Sequence, residues 1–158
     1  MADLEKDFMR QAIAASRRGM AGGAGGPFGA VVVLNGQVVA EGVNQVTSTN
    51  DPTAHAEVVA IRRACAALGR FDLRGATVYT SCEPCPMCLA ALYWARVDTV
   101  VYANDRVQAA AIGFDDEFLY AEIPKPIEAR ALPMRRLLGA EALEVFHEWA
   151  AKPDRVPY

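Results

Sequence analysis

Two spacings of apolar residues alternate along the chain. Apolar residues three and four positions apart predict amphipathic helices over residues 3–19, 52–68, 85–95, 107–112 and 140–151. Short continuous apolar runs between turn-forming residues predict strands over residues 29–34, 37–41, 76–81 and 99–103. Asn35-Gly36, between the first two strands, favours a type I′ turn, so we expect these strands to form an antiparallel hairpin.

The order of these elements indicates one α/β domain. Strands and helices alternate after the hairpin, which favours a sheet covered by helices on both faces, with right-handed crossovers between its parallel strands. Asp51-Pro52 has the composition of a helix cap followed by a first-turn proline. A chain of 158 residues suits a single domain, residues 1–158, because two halves would each have a marginal core.

Composition and charge narrow the classes of function. Hydrophobic residues make up 53% and charged residues 22%, which is ordinary for a globular protein and excludes a disordered chain. The net charge of −3 lacks the positive field that nucleic-acid binding uses, so we expect no nucleic-acid partner. The longest apolar stretch, residues 87–95, is shorter than the roughly 20 residues that span a bilayer. Asp3, Glu5 and Asp7 do not suit a signal peptide, so we expect a soluble, cytoplasmic protein without membrane contact.

Two short motifs place metal-binding side chains at the starts of two helices. His55-Ala56-Glu57 opens one helix, and Cys85 and Cys88 open the next. One imidazole and two thiolates suit zinc, and helix N-termini favour thiolates. Three ligands leave the fourth position of a tetrahedral ion to water, as in catalytic sites. Cys82 is the rival fourth ligand, and its binding would enclose the ion in a structural site.

Glu57 favours the catalytic alternative. A carboxylate beside zinc-activated water acts as general base and general acid, whereas a structural zinc site requires no such group. His55 and Glu57 do not share one face of a regular helix, so both must reach a ligand at the helix mouth. The competing interpretation of Glu57 is a solvated acid at a helix start, favoured there by the helix dipole.

The pattern His-x-Glu with Pro-Cys-x-x-Cys resembles that of the zinc-dependent cytidine and adenosine deaminases. Across nearly the whole chain the resemblance narrows to the bacterial guanine deaminases of the cytidine deaminase-like fold. Five segments carry it, with the sequences GGPFGA, NDPTAHAE, TSCEPCPMC, YWAR and GFDD, at residues 25–30, 50–57, 80–88, 93–96 and 113–116. The resemblance implies a three-layer α/β/α sandwich with a mixed central sheet of about five strands, and one Zn²⁺ per subunit.

The resemblance also implies roles in catalysis. His55, Cys85 and Cys88 would bind zinc, and Glu57 would shuttle protons while guanine becomes xanthine and ammonia leaves. Asp116 resembles a second acidic residue of the family, which faces the substrate and helps the 2-amino group to leave. A carboxylate suits this place because the N1–H and 2-amino groups of guanine are donors. The alternative for Asp116 is an exposed acidic turn.

Substrate contacts and quaternary structure are implied in the same way. Asn44 would bond the purine ring, although loop asparagines usually serve turns. Phe28 and Trp94 would stack on the purine, although aromatic residues at such places are as often part of the core. The resemblance also implies a swapped homodimer, in which the C-terminal segment of one subunit, about residues 127–158, closes the partner's site. Tyr158 matches the terminal aromatic residue of that segment.

Two other hypotheses stay open at this point. The nearest is another nucleobase deaminase, acting on adenosine in transfer RNA, on cytosine or on an aminotriazine. The mixture of acidic and basic residues in the C-terminal third argues against RNA. The hypothesis from a different class is a zinc-stabilised module without chemistry, closed by Cys82. Release of ammonia separates the two classes.

Overall fold

Helices and strands alternate in the computed structural model, which describes residues 2–158. The strands are β1 (Gly29–Leu34), β2 (Gln37–Val43), β3 (Ala76–Cys82) and β4 (Thr99–Asn104). The helices are α1 (Ala2–Ala21), α2 (Val46–Thr49), α3 (Ala56–Leu68), α4 (Pro86–Trp94), α5 (Arg106–Ala111), α6 (Glu117–Glu122) and α7 (Gly139–Ala151). A single 3₁₀ turn (Ile127–Ala129) lies between α6 and α7. No helix within residues 2–158 combines the length and the apolar composition that crossing a membrane requires.

The central sheet is mixed, with the strand order β2-β1-β3-β4. β1 pairs antiparallel with both β2 and β3, and β3 pairs parallel with β4. Successive residues of β1 face opposite sides of the sheet. Val32 packs with Ala60 of α3 and Leu92 of α4, whereas Val31 packs with Phe8 of α1. The predicted three-layer α/β/α sandwich is therefore confirmed.

The sheet within residues 2–158 has four strands, whereas about five were expected. Beyond β4 the described chain forms three helices and the 3₁₀ turn. Residues 131–138 have no regular secondary structure and do not join the sheet. Pro133 cannot donate a backbone hydrogen bond, and the residues around it show no β-branched run. This segment therefore lacks a sequence suited to a fifth strand at the edge of the sheet.

The segment before α3 also differs from the prediction. Asp51-Pro52 does not begin the helix, which starts at Ala56. Oδ1 of Asp51 instead accepts hydrogen bonds from the backbone N–H and the hydroxyl of Thr53, at 2.8 and 2.7 Å. This local turn uses the side chain that a helix cap would need, so the chain stays non-helical as far as His55.

The chain divides into two compact units, one up to Glu117 and one over Phe118–Tyr158. The first unit holds the sheet and α1 to α5. In the second unit, Arg130 donates hydrogen bonds to the backbone oxygens of Ile123 and Lys125, both at 3.1 Å. The apolar side chains of α7 that the spacing assigns to a core are exposed, among them Phe146 and Trp149. Exchange of the segment 127–158 between subunits stays a prediction.

Candidate active site

The N-termini of α3 and α4 carry the predicted metal ligands. His55 is the N-cap of α3, Cys85 is the N-cap of α4, and Cys88 lies in the first turn of α4. Gly42 of β2 allows the strand to lie directly against α3, because a Cβ atom there would come within 2.1 Å of the Ala56 carbonyl oxygen. The sheet therefore sets the position of the helix start that bears His55 and Glu57.

The side chains of His55, Cys85 and Cys88 converge on one point. Nδ1 of His55 lies 3.5 Å from Sγ of Cys85 and 3.4 Å from Sγ of Cys88. One ligand atom from each residue lies within 4.8 Å of the other two, and the part of the chain that the structure describes contains no other such group. Two cysteine sulfurs and one imidazole nitrogen form the donor set that zinc prefers, so the residues fit this ion.

The three predicted ligands share protons with one another. The pKa of Cys85 is lowered to about 4, chiefly because Cys88 donates a hydrogen bond to its sulfur, and His55 adds a second. The same shared proton and burial raise the pKa of Cys88. The hydrogen bond with Cys85 raises the pKa of His55. A bound metal ion replaces these protons, because zinc binds the thiolate and the neutral imidazole.

Cys82 lies outside this ligand group. Its sulfur donates a weak hydrogen bond to the carbonyl oxygen of Asp105, at 3.8 Å. Burial raises the pKa of the Cys82 thiol to about 11, and the charges of Glu57 and Glu83 add to this effect. Cys82 is not among the residues whose ligand atoms lie within 4.8 Å of one another. The geometry therefore favours three protein ligands over the closed site.

Glu57 lies in the first turn of α3 and is 5% exposed. The hydroxyl of Thr80, on β3, donates a hydrogen bond of 2.9 Å to Oε1 of Glu57. Burial raises the pKa of Glu57, because an ionised carboxylate loses hydration there. A buried carboxyl with a raised pKa is suited to accepting and returning a proton, and the solvated-acid interpretation does not agree with this burial.

Asp116 lies in the loop before α6 and is partly buried. Burial raises its pKa, and the charge of Cys85 adds to the shift. The charge of Cys85 is therefore felt at the Asp116 carboxyl, and the role of Asp116 toward the substrate stays a prediction. Its neighbour Asp115 is exposed, and Oδ1 of Asp115 accepts a hydrogen bond from the backbone N–H of Glu117 at 2.9 Å.

The predicted substrate contacts fall into two groups. Asn44 and Phe28 are connected to the segment that leads to His55, because the N–H of Asn44 donates to the Phe28 carbonyl oxygen and the N–H of Gln45 donates to the carbonyl oxygen of Ala54. Trp94 ends α4, whose nine residues separate it from Cys85 by about 13 Å along the axis. Tyr158 lies in the second unit and is exposed. The roles of these two aromatic residues stay predictions.

Two residues of the site were not singled out from the sequence. The Phe114 ring meets the Phe28 ring edge to face, with the ring centroids 4.8 Å apart. Thr80 holds Glu57 from a neighbouring strand. A polar residue inside a buried strand was the available signal for Thr80, and the segment GFDD was the signal for Phe114.

Comparison with known proteins identifies the family. A family model described as the cytidine and deoxycytidylate deaminase zinc-binding region matches residues 2–104. The chain belongs to this deaminase family. The metal of the family is zinc, and His55, Cys85 and Cys88 are the group in the described chain that can hold one such ion.

Within the deaminase family, the chain is 52% identical to the guanine deaminase of Bacillus subtilis strain 168, over 96% of this chain and 97% of that protein. It is 45% identical to a tRNA-specific adenosine deaminase of Agrobacterium fabrum, over 54% of this chain and 57% of that protein. The X-ray structure of the Bacillus subtilis guanine deaminase has a TM-score of 0.94 at 49% identity, covering 97% of this chain and 98% of that chain. Another related structure, a complex with 2,6-diaminopurine, has a TM-score of 0.67 at 32% identity, covering 96% and 83%.

Proposed function

We propose that this protein is a zinc-dependent hydrolase that converts guanine and water into xanthine and ammonia. The observation that carries the proposal is the buried carboxyl of Glu57, on the same helix start as His55, whose Nδ1 lies within 3.5 Å of two cysteine sulfurs. The likeness to the Bacillus subtilis guanine deaminase supports guanine as the substrate, because it extends over nearly the full length of both chains. A purine base is therefore the proposed small-molecule partner.

The reaction requires that a water molecule add to C2 of guanine and that the 2-amino group leave. His55, Cys85 and Cys88 would hold the zinc ion, which when bound supplies a Lewis acid that lowers the pKa of water. Glu57 takes a proton from the attacking water and gives it to N3 of the ring. It then takes the second proton, from the hydroxyl now on C2, and gives it to the departing amine as the C2–N bond breaks and the C2=O bond forms. The Thr80 hydroxyl orients the carboxylate by its hydrogen bond to Oε1. Burial raises the pKa of Glu57, which makes it a better base and keeps the proton available for return.

The remaining polar and aromatic residues would hold the base. Asp116 accepts hydrogen bonds from the donor edge of guanine, Asn44 bonds the purine ring, and Phe28 stacks on its face. We also propose Trp94 and Tyr158 as contacts of the base.

The metal ligands bear on the cellular location. Thiolate ligands require reduced cysteines, so we place the enzyme in the cytoplasm.

An assay for ammonia tests the substrate. Zinc-loaded protein is offered guanine, adenine, cytosine, cytidine and transfer RNA in separate reactions, with xanthine identified as the product from guanine. We expect ammonia from guanine at a kcat/KM well above that for the other substrates. Release from transfer RNA alone would favour the adenosine deaminase hypothesis, and no release from any substrate would favour a zinc-stabilised module.

Replacing Asp116 with asparagine should lower guanine turnover by at least about tenfold, because a neutral amide accepts hydrogen bonds from the N1–H and 2-amino donors more weakly than a carboxylate does. Zinc content and melting temperature should stay at the parent values. Steady-state kinetics on guanine measure the effect. The matched control is Asp115→Asn, whose side-chain oxygen keeps the hydrogen bond to Glu117. Equal losses of guanine turnover in the two variants would support the alternative that Asp116 belongs to an exposed acidic turn.

We further propose a homodimer in which the C-terminal tail of one subunit closes the site of the other. Deleting residues 155–158 should then lower activity while the fold and the zinc content survive, because water is no longer excluded from the site. The deletion is checked by kinetics on guanine and by elemental analysis of the purified protein. A tail that frays in solution would tolerate the deletion.

A mixing experiment tests whether the tail crosses between subunits. The truncated chain is combined with a full-length Glu57→Gln chain, and subunit exchange is verified with differently tagged chains. In a swapped dimer, one site of each mixed pair combines an intact Glu57 with an intact partner tail, so activity should return. No recovery after exchange would assign the tail to its own subunit.

A further inference from the structure

The side chain of Asn44 is held in one orientation by two backbone donors. Asn44 is 5% exposed and directly follows β2. Its Oδ1 atom accepts hydrogen bonds from the N–H groups of Gly26 and Val46, each at 3.2 Å. Since a backbone N–H can only donate, both bonds require the amide oxygen at this place. The amide nitrogen therefore points away from these two donors.

The glycine-rich loop (residues 22–27) is shaped around this side chain. A Cβ atom on Gly25 would lie 2.2 Å from Oδ1 of Asn44 and 2.6 Å from its backbone oxygen, which is closer than atoms can approach. The loop is also tied to α2, because the Ser48 hydroxyl donates to the carbonyl oxygen of Ala24 at 2.7 Å. The loop and α2 thus enclose Asn44 from two sides, and only a residue without a side chain fits at position 25.

The backbone next to Asn44 is bonded to the segment that leads to the metal ligand His55. The residue after Asn44, Gln45, donates its backbone N–H to the carbonyl oxygen of Ala54, which directly precedes His55. The residue before β1, Phe28, accepts the backbone hydrogen bond of Asn44 at 3.0 Å. The backbone at Asn44 is therefore bonded both to the residue that precedes a zinc ligand and to the residue that carries a proposed stacking ring.

We infer that Gly25 and Gly26 of the glycine-rich loop are positioning residues of the active site, which fix Asn44 so that its NH₂ group meets the bound base. The inference rests on the proposed function, since it concerns how the same site recognises its purine. A fixed donor requires an acceptor on the base. Guanine offers the acceptors O6 and N7 on the side away from its 2-amino group, while Asp116 suits the donor edge.

The first experiment reverses the polarity of the amide. Asn44→Asp keeps an oxygen for the Gly26 and Val46 donors but presents a second oxygen to the base in place of the NH₂ group. We expect zinc content and melting temperature near those of the parent protein, with kcat/KM for guanine lower by at least about 10²-fold. Retention of parental kcat/KM in the folded, zinc-loaded variant would overturn the inference.

The second experiment disturbs the loop and leaves Asn44 unchanged. Gly25→Ala forces Asn44 to move, and we expect the KM for guanine to rise at least about tenfold with zinc retained. The matched control is Gly22→Ala, where the nearest atom to the added Cβ is the Arg18 carbonyl oxygen at 3.2 Å. Equal KM values for the two loop variants would contradict a positioning role for Gly25.

The third experiment needs no variant and separates recognition from stability. Binding of guanine to the parent protein is compared with binding of 7-deazaguanine, which lacks the N7 acceptor, and of 2-aminopurine, which lacks O6. We expect at least one analogue to bind more weakly by about tenfold or more, and Asn44→Asp to remove that difference. Equal binding of all three bases would overturn the inference. If the parent protein fails to deaminate guanine at all, the proposed function fails instead.

Discussion

Replacing Glu57 with glutamine is expected to lower guanine turnover by at least about 10²-fold, while the variant binds as much zinc as the parent protein. Glutamine has the shape of glutamate, and its oxygen can accept the hydrogen bond that Thr80 donates to Oε1 at 2.9 Å. It cannot take a proton from water or return one to the purine. Steady-state kinetics and elemental analysis on the same preparation measure the two quantities together.

The control for this variant is an exposed carboxylate on another element. Glu5→Gln on α1 should leave turnover and zinc content at the parent values, because Glu5 is exposed on the surface of the helix. A further check is the melting temperature, which separates a lost proton carrier from a damaged fold. Near-parental turnover in a zinc-replete Glu57→Gln protein would remove Glu57 from the mechanism.

Replacing Cys85 or Cys88 with serine should strongly reduce zinc content, from about one ion per subunit, and should abolish activity with it. A serine hydroxyl is far less acidic than a thiol and is a poor zinc ligand near neutral pH. Elemental analysis after dialysis measures the remaining zinc.

Cys82→Ser is the matched control within the same seven-residue segment. Cys82 lies outside the ligand group, and its thiol donates to the Asp105 carbonyl oxygen, a bond that a serine hydroxyl can replace. Zinc stoichiometry should therefore stay near one. Equal loss of zinc from all three cysteine variants would instead support a closed site with Cys82 as the fourth ligand.

The sequence by itself was sufficient to predict the three-layer fold and the metal group. Continuous apolar runs predict buried strands, and the spacing of apolar residues predicts the helices between them. The sequence was enough to predict the ligands His55, Cys85 and Cys88 because each lies at a helix start. There the local sequence determines both the backbone and the direction of the side chain. For the same reason Glu57 was recognised two residues after His55.

Only the tertiary structure decided which residues from distant segments support this group. Thr80 meets Glu57 across 23 residues of sequence, and Gly26 meets Asn44 across 18, because strand register and loop closure bring them together. The cap predicted at Asp51 was wrong because its side chain bonds Thr53 within a turn, a competition that local propensity does not resolve. The expected fifth strand is absent from the described residues because residues 131–138 contain Pro133 and no β-branched run.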